Sequence, residues 1–293
     1  MFPGQGTQYT NMACNLYLTE PVFKNHIDEC CDIIFQIASL NFKEYLYPVV
    51  DKPVEDILKE TKWAQVAIFV VSYSLAKLLE HLEVKANAYI GHSIGEYVAA
   101  TLSGVFCLTS TIKIILKRGE LMQKMPRGSM LMVNAPASQI QTLLPQGLEI
   151  AVYNAPNYNV ISGQENDIES FKTLLDTSDI PYSRLQTSHA FHSHMMEDAA
   201  IEFEQYLKEF KLNEPDRIFV SNITGELISK AQAVSAKYWS DHIRMPVMFA
   251  QGVTNLSSKY KNAIYVEVGP GKGLSNFINE FNISKKSMLC HIN

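Results

Sequence analysis

In the run Ala86-Asn87-Ala88-Tyr89-Ile90-Gly91-His92-Ser93-Ile94-Gly95-Glu96, a short apolar segment meets a glycine and then a serine flanked by small residues. Ala86 to Ile90 has the length and composition of a buried strand, and Ile94 to Leu102 fits a helix stopped near Gly104. Strand, sharp turn and helix therefore follow one another, with Gly91-His92-Ser93-Ile94-Gly95 at the turn. That is the setting of a nucleophile elbow, in which small neighbours let the chains pass closely and the serine is held out on a strained turn. The pentapeptide alone is weak. With glycine and serine each near ~7% of residues, a chain of this length carries one by chance roughly one time in ten. Its bland reading is a glycine turn with a helix-capping serine, and the strand before it and helix after it favour the catalytic one.

Upstream, apolar residues from Asp56 to Glu80 recur at helical spacing and predict one or two buried helices. Downstream the texture changes. Between Met130 and Thr187 short β-rich runs (Met130 to Val133, Ile150 to Tyr153, Val160 to Ser162, Tyr182 to Leu185) alternate with helical segments near Ala137 to Leu144 and Asp167 to Asp176. This suits a small inserted α+β domain of ferredoxin-like type. A helix at Met196 to Phe210, a strand at Arg217 to Ser221, helices near Ala236 to His242 and Phe249 to Ser257, and a strand at Ala263 to Val268 follow. The flanks are thus expected to share one sheet from which the insertion emerges. Phe2-Pro3-Gly4-Gln5-Gly6 is a turn-forming loop of the sort that leaves a buried parallel strand, so the sequence reads as cut from a longer polypeptide.

The chain has 293 residues, 47% of them hydrophobic, enough for a large core. Its net charge of -5 supplies no field that would draw in nucleic acid or an anionic membrane, and neither partner is expected. No secretory leader is visible, and the apolar run Ala67 to Leu79 is broken by Ser72, Ser74 and Lys77, so a cytoplasmic location is expected. Cys14, Cys30, Cys31, Cys107 and Cys290 lack metal-ligand spacing and read as reduced thiols.

A serine hydroxyl needs a base. Adjacent residues of an extended strand point to opposite faces, so His92 is poorly placed to serve Ser93. Of the remaining histidines only His189, His192 and His194 cluster; their spacing is not that of a helical metal pair and no second ligand cluster accompanies them, so no metal is expected.

Five motifs in order, Phe2-Pro3-Gly4-Gln5-Gly6-Thr7-Gln8, Gly91-His92-Ser93-Ile94-Gly95-Glu96, Arg118-Gly119-Glu120-Leu121-Met122-Gln123, His189-Ala190-Phe191-His192-Ser193 and Glu267-Val268-Gly269-Pro270-Gly271, together resemble the acyltransferase domain of modular polyketide synthases and the related malonyl-CoA:acyl carrier protein transacylases. The resemblance covers nearly the whole chain. It implies an α/β fold, with an α/β-hydrolase-like domain containing a parallel sheet (residues 1-127 and 190-293) and the small ferredoxin-like domain at 128-189. It implies Ser93 as the acylated nucleophile, His192 as the base, and a backbone carbonyl near His242 holding the imidazole. The amides of Gln5 and Ile94 would form the oxyanion hole, Arg118 would pair with the free carboxylate of a malonyl group, and His189 and Phe191 would bear on extender choice. Malonyl-CoA is the implied substrate and phosphopantetheine on an acyl carrier protein the implied acceptor, with neighbouring synthase domains such as a ketosynthase as partners. No permanently bound cofactor is implied.

Two other readings stay open on the sequence. A serine hydrolase would use the same elbow with water as acceptor, and Asp167, Asp176 and Asp179 lie between Ser93 and His192 as possible third members of a triad. A catalytically dead scaffold module is the other, against which Ser93, His192 and Arg118 argue. Arg118 discriminates against a plain esterase, since a buried cation suits an acyl group bearing its own carboxylate. Its bland reading is one more solvated base beside Lys113, Lys117 and Lys124.

Overall fold

The computed structural model describes residues 1–49, 56–281 and 289–292, the last stretch by its backbone alone. Helices α1 (Cys14–Thr19), α2 (Pro21–Ala38) and α3 (Lys43–Leu46) precede a 3-10 turn at Ile57–Lys59 and the long α4 (Thr61–His81). Strand β1 (Tyr89–Ile90) then leads into α5 (Gly95–Leu102) and α6 (Leu108–Lys124). The middle of the chain runs β2 (Ser129–Val133), α7 (Ala137–Leu143), β3 (Glu149–Ala155), β4 (Tyr158–Gly163), α8 (Glu165–Thr177) and β5 (Tyr182–Arg184). It returns through a 3-10 turn at His194–Met196, α9 (Glu197–Leu207), β6 (Phe219–Val220), α10 (Lys230–Ala233) and α11 (Ala236–Arg244). Last come α12 (Phe249–Lys259), β7 (Tyr265–Val268), α13 (Gly273–Ile278) and β8 (Leu289–Ile292). The side chains of Cys290 and His291 lie outside the described residues.

The strands of the larger body are short and parallel. β1 pairs with β6 (Tyr89↔Phe219) and β7 with β8 (Tyr265↔Leu289). Met1 and Phe2 join the two pairs: Phe2 N–H donates to the Ile90 carbonyl, His92 N–H to the Phe2 carbonyl, and Val268 N–H to the Met1 carbonyl, at 2.8 to 2.9 Å. The order is therefore β6, β1, Met1–Phe2, β7, β8. Two residues thus anchor the following Pro3-Gly4-Gln5 loop on both sides, beside the elbow that leaves β1.

Helices supply most of the core. In α4 nearly every position from Ala64 to Leu78 is buried, as expected for a helix apolar on all sides. Among the described residues α4 is the one helix long and apolar enough to cross a membrane, and it packs instead against α2, α5 and α6.

The smaller unit is a four-stranded antiparallel sheet of order β3-β4-β2-β5 with α7 and α8 connecting its strands. Alternate residues of a strand face opposite ways, and the two faces have different fates here. Leu131, Val133 and Ile161 join Ile140 of α7 and Ile168 and Phe171 of α8 in a separate core. Met130, Val152 and Val160 face the larger body and belong to its core. The loop after α11 is stitched to this sheet: Tyr153 N–H donates to the Val247 carbonyl and Val247 N–H to the Ala151 carbonyl, both at 2.9 Å.

Sequence expectation and structure differ at a few points. The strand expected over Ala86 to Ile90 pairs only over Tyr89–Ile90, because its partner β6 is equally short. Helices α1 to α3 and α13 were not anticipated, although Phe23, Ile27, Cys30, Cys31 and Ile34 of α2 fall on one buried face behind Pro21.

Candidate active site

Ser93 sits at the turn between β1 and α5 with φ of 50°, a left-handed conformation that costs a serine energy and that local packing must hold. The glycines on either side are required by contact. A Cβ on Gly91 would lie 2.1 Å from the Glu96 nitrogen, and one on Gly95 2.2 Å from the Phe2 carbonyl oxygen. The elbow thus packs directly on the Phe2 to Gln5 loop. Ser93 Oγ lies 2.8 Å from His192 Nε2.

His192 is also left-handed, at φ 55°, and is 4% exposed. Its Nδ1 lies 3.0 Å from the Met245 carbonyl. A carbonyl only accepts, so Nδ1 carries the proton and Nε2 presents its lone pair to the Ser93 hydroxyl. Burial, then the nearby Arg118 charge and His242, push the His192 pKa well below the ordinary imidazole value. The imidazole is therefore a neutral acceptor at neutral pH.

The brace expected near His242 is the carbonyl of Met245, three residues further along. Helix α11 ends at Arg244, so the carbonyl at 245 has left the helical ladder and, with the loop stitched to β3, turns to His192. The His242 side chain instead lies buried 3.2 Å from Glu96 Oε2.

Arg118 is 1% exposed despite its lysine-rich neighbourhood, because α6 turns this position inward against α4 and α5. Nη1 donates to Gln65 Oε1 at 2.5 Å, and Nη2 lies 3.5 Å from Ser93 Oγ. The guanidinium carbon stands 5.5 Å from the centre of the Tyr97 ring, and Nε has no hydrogen-bond partner among the described residues. Nor is any carboxylate within ion-pair distance of it there. The solvated-base reading of Arg118 is wrong for this fold: it is a buried cation, with no carboxylate at ion-pair distance among the described residues, and its Nη2 faces Ser93.

A cavity of about 250 Å³ lies between the larger body and the inner face of the small sheet. Ser93, His192, Arg118, Gln5, Ile94 and Phe191 all line it. Among the described residues the amides of Gln5 and Ile94 make no hydrogen bond to another protein group, which leaves both free for a developing oxyanion. The Ser93 amide is occupied, donating to Asn222 Oδ1 at 2.6 Å. His189 stands elsewhere than expected. It is not among the described cavity-lining residues; its Nε2 lies 3.1 Å from the Gln123 carbonyl, pinning the end of α6, and its ring stacks on Phe191. Any influence on the acyl group passes through Phe191. The histidine cluster does not converge, since His194 turns away to Glu149.

Three residues without an assigned role in the sequence belong to this site. Gln65 orients Arg118, and Asn154 of β3 meets His92 Nε2 at 2.8 Å across the cleft. Asn222 follows β6 and carries no motif; only its place beside the elbow reveals it.

A serine hydroxyl at hydrogen-bond distance from a carbonyl-held imidazole, with two unpaired amides beside it in one cavity, has the parts that enzymes moving acyl groups through an acyl-serine use. Comparison with known proteins gives the family. The profile described as "Acyl transferase domain" matches residues 1–280, and the chain belongs to that family. It is 35% identical over 275 residues to a phenolphthiocerol/phthiocerol polyketide synthase of Mycobacterium tuberculosis, covering 94% of this chain and 18% of that one. The chain thus spans under a fifth of that relative's length. Among solved structures, the acyltransferase domain from the second module of the salinomycin polyketide synthase is 32% identical with a TM-score of 0.91, covering 99% of this chain and 67% of that one. Malonyl CoA-acyl carrier protein transacylase from Clostridium perfringens is 25% identical with a TM-score of 0.89, covering 99% and 91%.

Proposed function

We propose that this acyltransferase takes a malonyl group from malonyl-CoA onto Ser93 and delivers it to the phosphopantetheine thiol of an acyl carrier protein. The observation that carries the substrate class is Arg118, a buried guanidinium in reach of Ser93 that has no carboxylate at ion-pair distance among the described residues. Its planar fork suits the free carboxylate of a malonyl group, which can accept two hydrogen bonds at once.

In the first half-reaction the Ser93 hydroxyl gives its proton to His192 Nε2 as Oγ attacks the thioester carbonyl. The oxyanion is met by the Gln5 and Ile94 amides. Collapse breaks the C–S bond, and the departing coenzyme A sulfur takes the proton from Nε2. In the second half the carrier thiol gives its proton to the same nitrogen and attacks the ester, and Ser93 leaves with that proton. Met245 keeps Nδ1–H in place throughout, which fixes the tautomer.

The serine hydrolase reading is not favoured. Asp167 and Asp176 lie on α8, which covers the face of the small sheet away from the cavity, Asp179 follows it, and His192 Nδ1 is already taken by Met245. The relatives named above support an acyl carrier protein as acceptor and neighbouring synthase domains as partners, among which we place a ketosynthase. We assign the small unit, residues 128-189, to the ferredoxin-like class, supported by its β-α-β-β-α-β order. The remainder, 1-127 and 190-293, is assigned as the α/β-hydrolase-like body, and a cytoplasmic setting fits malonyl-CoA as substrate.

Incubation with malonyl-CoA followed by intact-protein mass measurement tests the assignment. Ser93→Ala should take up no acyl mass while remaining folded, and His192→Ala should load about 10²–10⁴-fold more slowly. Acylation persisting in Ser93→Ala would overturn it, and no acylation of the unaltered chain would favour a scaffold.

A further inference from the structure

Asn222 lies in the turn two residues beyond β6, the strand beside β1, and therefore level with the elbow. It is 2% exposed, and both polar atoms of its side chain are engaged with elbow backbone. Oδ1 accepts from Ser93 N–H at 2.6 Å and Nδ2 donates to the Gly91 carbonyl at 2.8 Å. One amide group thus spans His92 and holds the two successive peptide units that lead into the nucleophile. Asn222 is fixed in turn: its own N–H donates to Glu96 Oε2 at 2.7 Å, and Glu96, fully buried in the first turn of α5, also accepts from the Tyr238 hydroxyl.

A left-handed serine relaxes unless its neighbouring peptide units are held. The described hydrogen bonds that hold Gly91 carbonyl and Ser93 amide from the side are those of Asn222. Its bond to Ser93 N–H also removes that amide from the possible oxyanion donors, so the hole must be built from Ile94 and Gln5.

We infer that Asn222 is a positioning residue for the nucleophile, holding Ser93 at the elbow conformation that brings Oγ to His192 and leaves the Ile94 amide open to the oxyanion. This rests on Ser93 being the acylated residue. Asn222 is not itself among the residues that line the cavity and reaches it only through the elbow backbone, so its loss should act on the chemistry of Ser93 and leave substrate affinity alone.

The test pairs malonyl-CoA loading with labelling by a small fluorophosphonate, which reacts with an activated serine without using Arg118 or a coenzyme A site. In Asn222→Ala, loading and labelling should fall together by roughly 10- to 100-fold, the span expected when buried hydrogen-bond partners are removed. The KM for malonyl-CoA should stay within about twofold, since only transition-state geometry is lost. Asn222→Ser, which is too short to serve both peptide units, should show the same split. Labelling at the unaltered rate in whichever variant folds would overturn the inference, and failure of both to fold would do so too by assigning Asn222 to the fold at large. Ser93→Ala is the separating control: if it still labels, the nucleophile assignment fails, whereas a silent Ser93→Ala beside a fully reactive Asn222→Ala defeats only the role of Asn222.

Discussion

Arg118 shows how far a residue's neighbours in sequence can mislead. Its lysine-flanked helix resembles a solvated face, yet α6 has one side packed on α4, and position 118 falls on that side. Replacing it by alanine should lower the specificity constant for malonyl-CoA by roughly 10- to 150-fold, because a hydrogen bond to a charged group is worth about 1.5–3 kcal/mol. Acetyl-CoA should lose much less, so a competition assay scored by acyl-enzyme mass should see the ratio shift; a constant ratio would reopen the substrate class. Phe191, in the cavity wall immediately before His192, should hinder a methyl branch on the malonyl carbon. Phe191→Ser should let methylmalonyl-CoA compete better by roughly 10- to 200-fold at most, the range of one-methyl discrimination, and an unchanged ratio would make Phe191 simple packing. Ser93 and His192 were legible because each carries a motif. The brace on His192 was legible only as a backbone carbonyl near His242, by resemblance; its exact residue was not, since a backbone carbonyl has no letter of its own, and Met245 differs from its neighbours only in standing where α11 stops.

The strand-turn-helix at the elbow was the most legible element, because glycine spacing, apolar run and helix start agree there. Its geometry also sets a severe constraint. Gly95→Ala would put a methyl 2.2 Å from the Phe2 carbonyl, backbone against backbone, so neither side can yield cheaply. A loss of stability of at least about 1–3 kcal/mol is expected, together with failed loading, as Phe2 to Gln5 is pushed off the elbow. Denaturant midpoints and acyl mass measured on one preparation check both, and a stable, active Gly95→Ala would mean that the contact is slack. In the small sheet the short β-rich runs of β2 and β4 were readable, but with both faces buried the strand pattern alone did not say which core each apolar residue joins. One face covers its own helices and the other roofs the cavity. The register between the two bodies, set by Val247 against β3, left no trace in the sequence because it uses only backbone groups.

Burial of histidines couples the whole molecule to pH. His192 and His242 both have pKa values lowered mainly by burial, while in the unfolded chain they would titrate near the ordinary 6.5. The unfolded state therefore binds more protons as acid is added, so stability is greatest above that value and falls as pH drops through it, until the folded pKa values are reached. Stability at pH 5.5 should therefore be lower than at pH 7.5. Urea midpoints at pH 7.5 and 5.5 should show it, and His242→Gln should flatten the dependence; a midpoint unmoved by pH would mean that the buried rings take up protons freely. Arg118 has a related consequence for the resting protein. A buried cation with no carboxylate at ion-pair distance among the described residues, only the more distant charge of Glu96, weakens the fold that contains it, so the empty enzyme is under tension that its cargo relieves. The malonyl-loaded form should melt at a higher temperature than the acetyl-loaded one, and Arg118→Met should raise the melting temperature of the unloaded chain while erasing that difference. The carboxylate of the passing acyl group then acts as a transient part of the protein's interior, and turnover becomes a cycle of completing the core and opening it again.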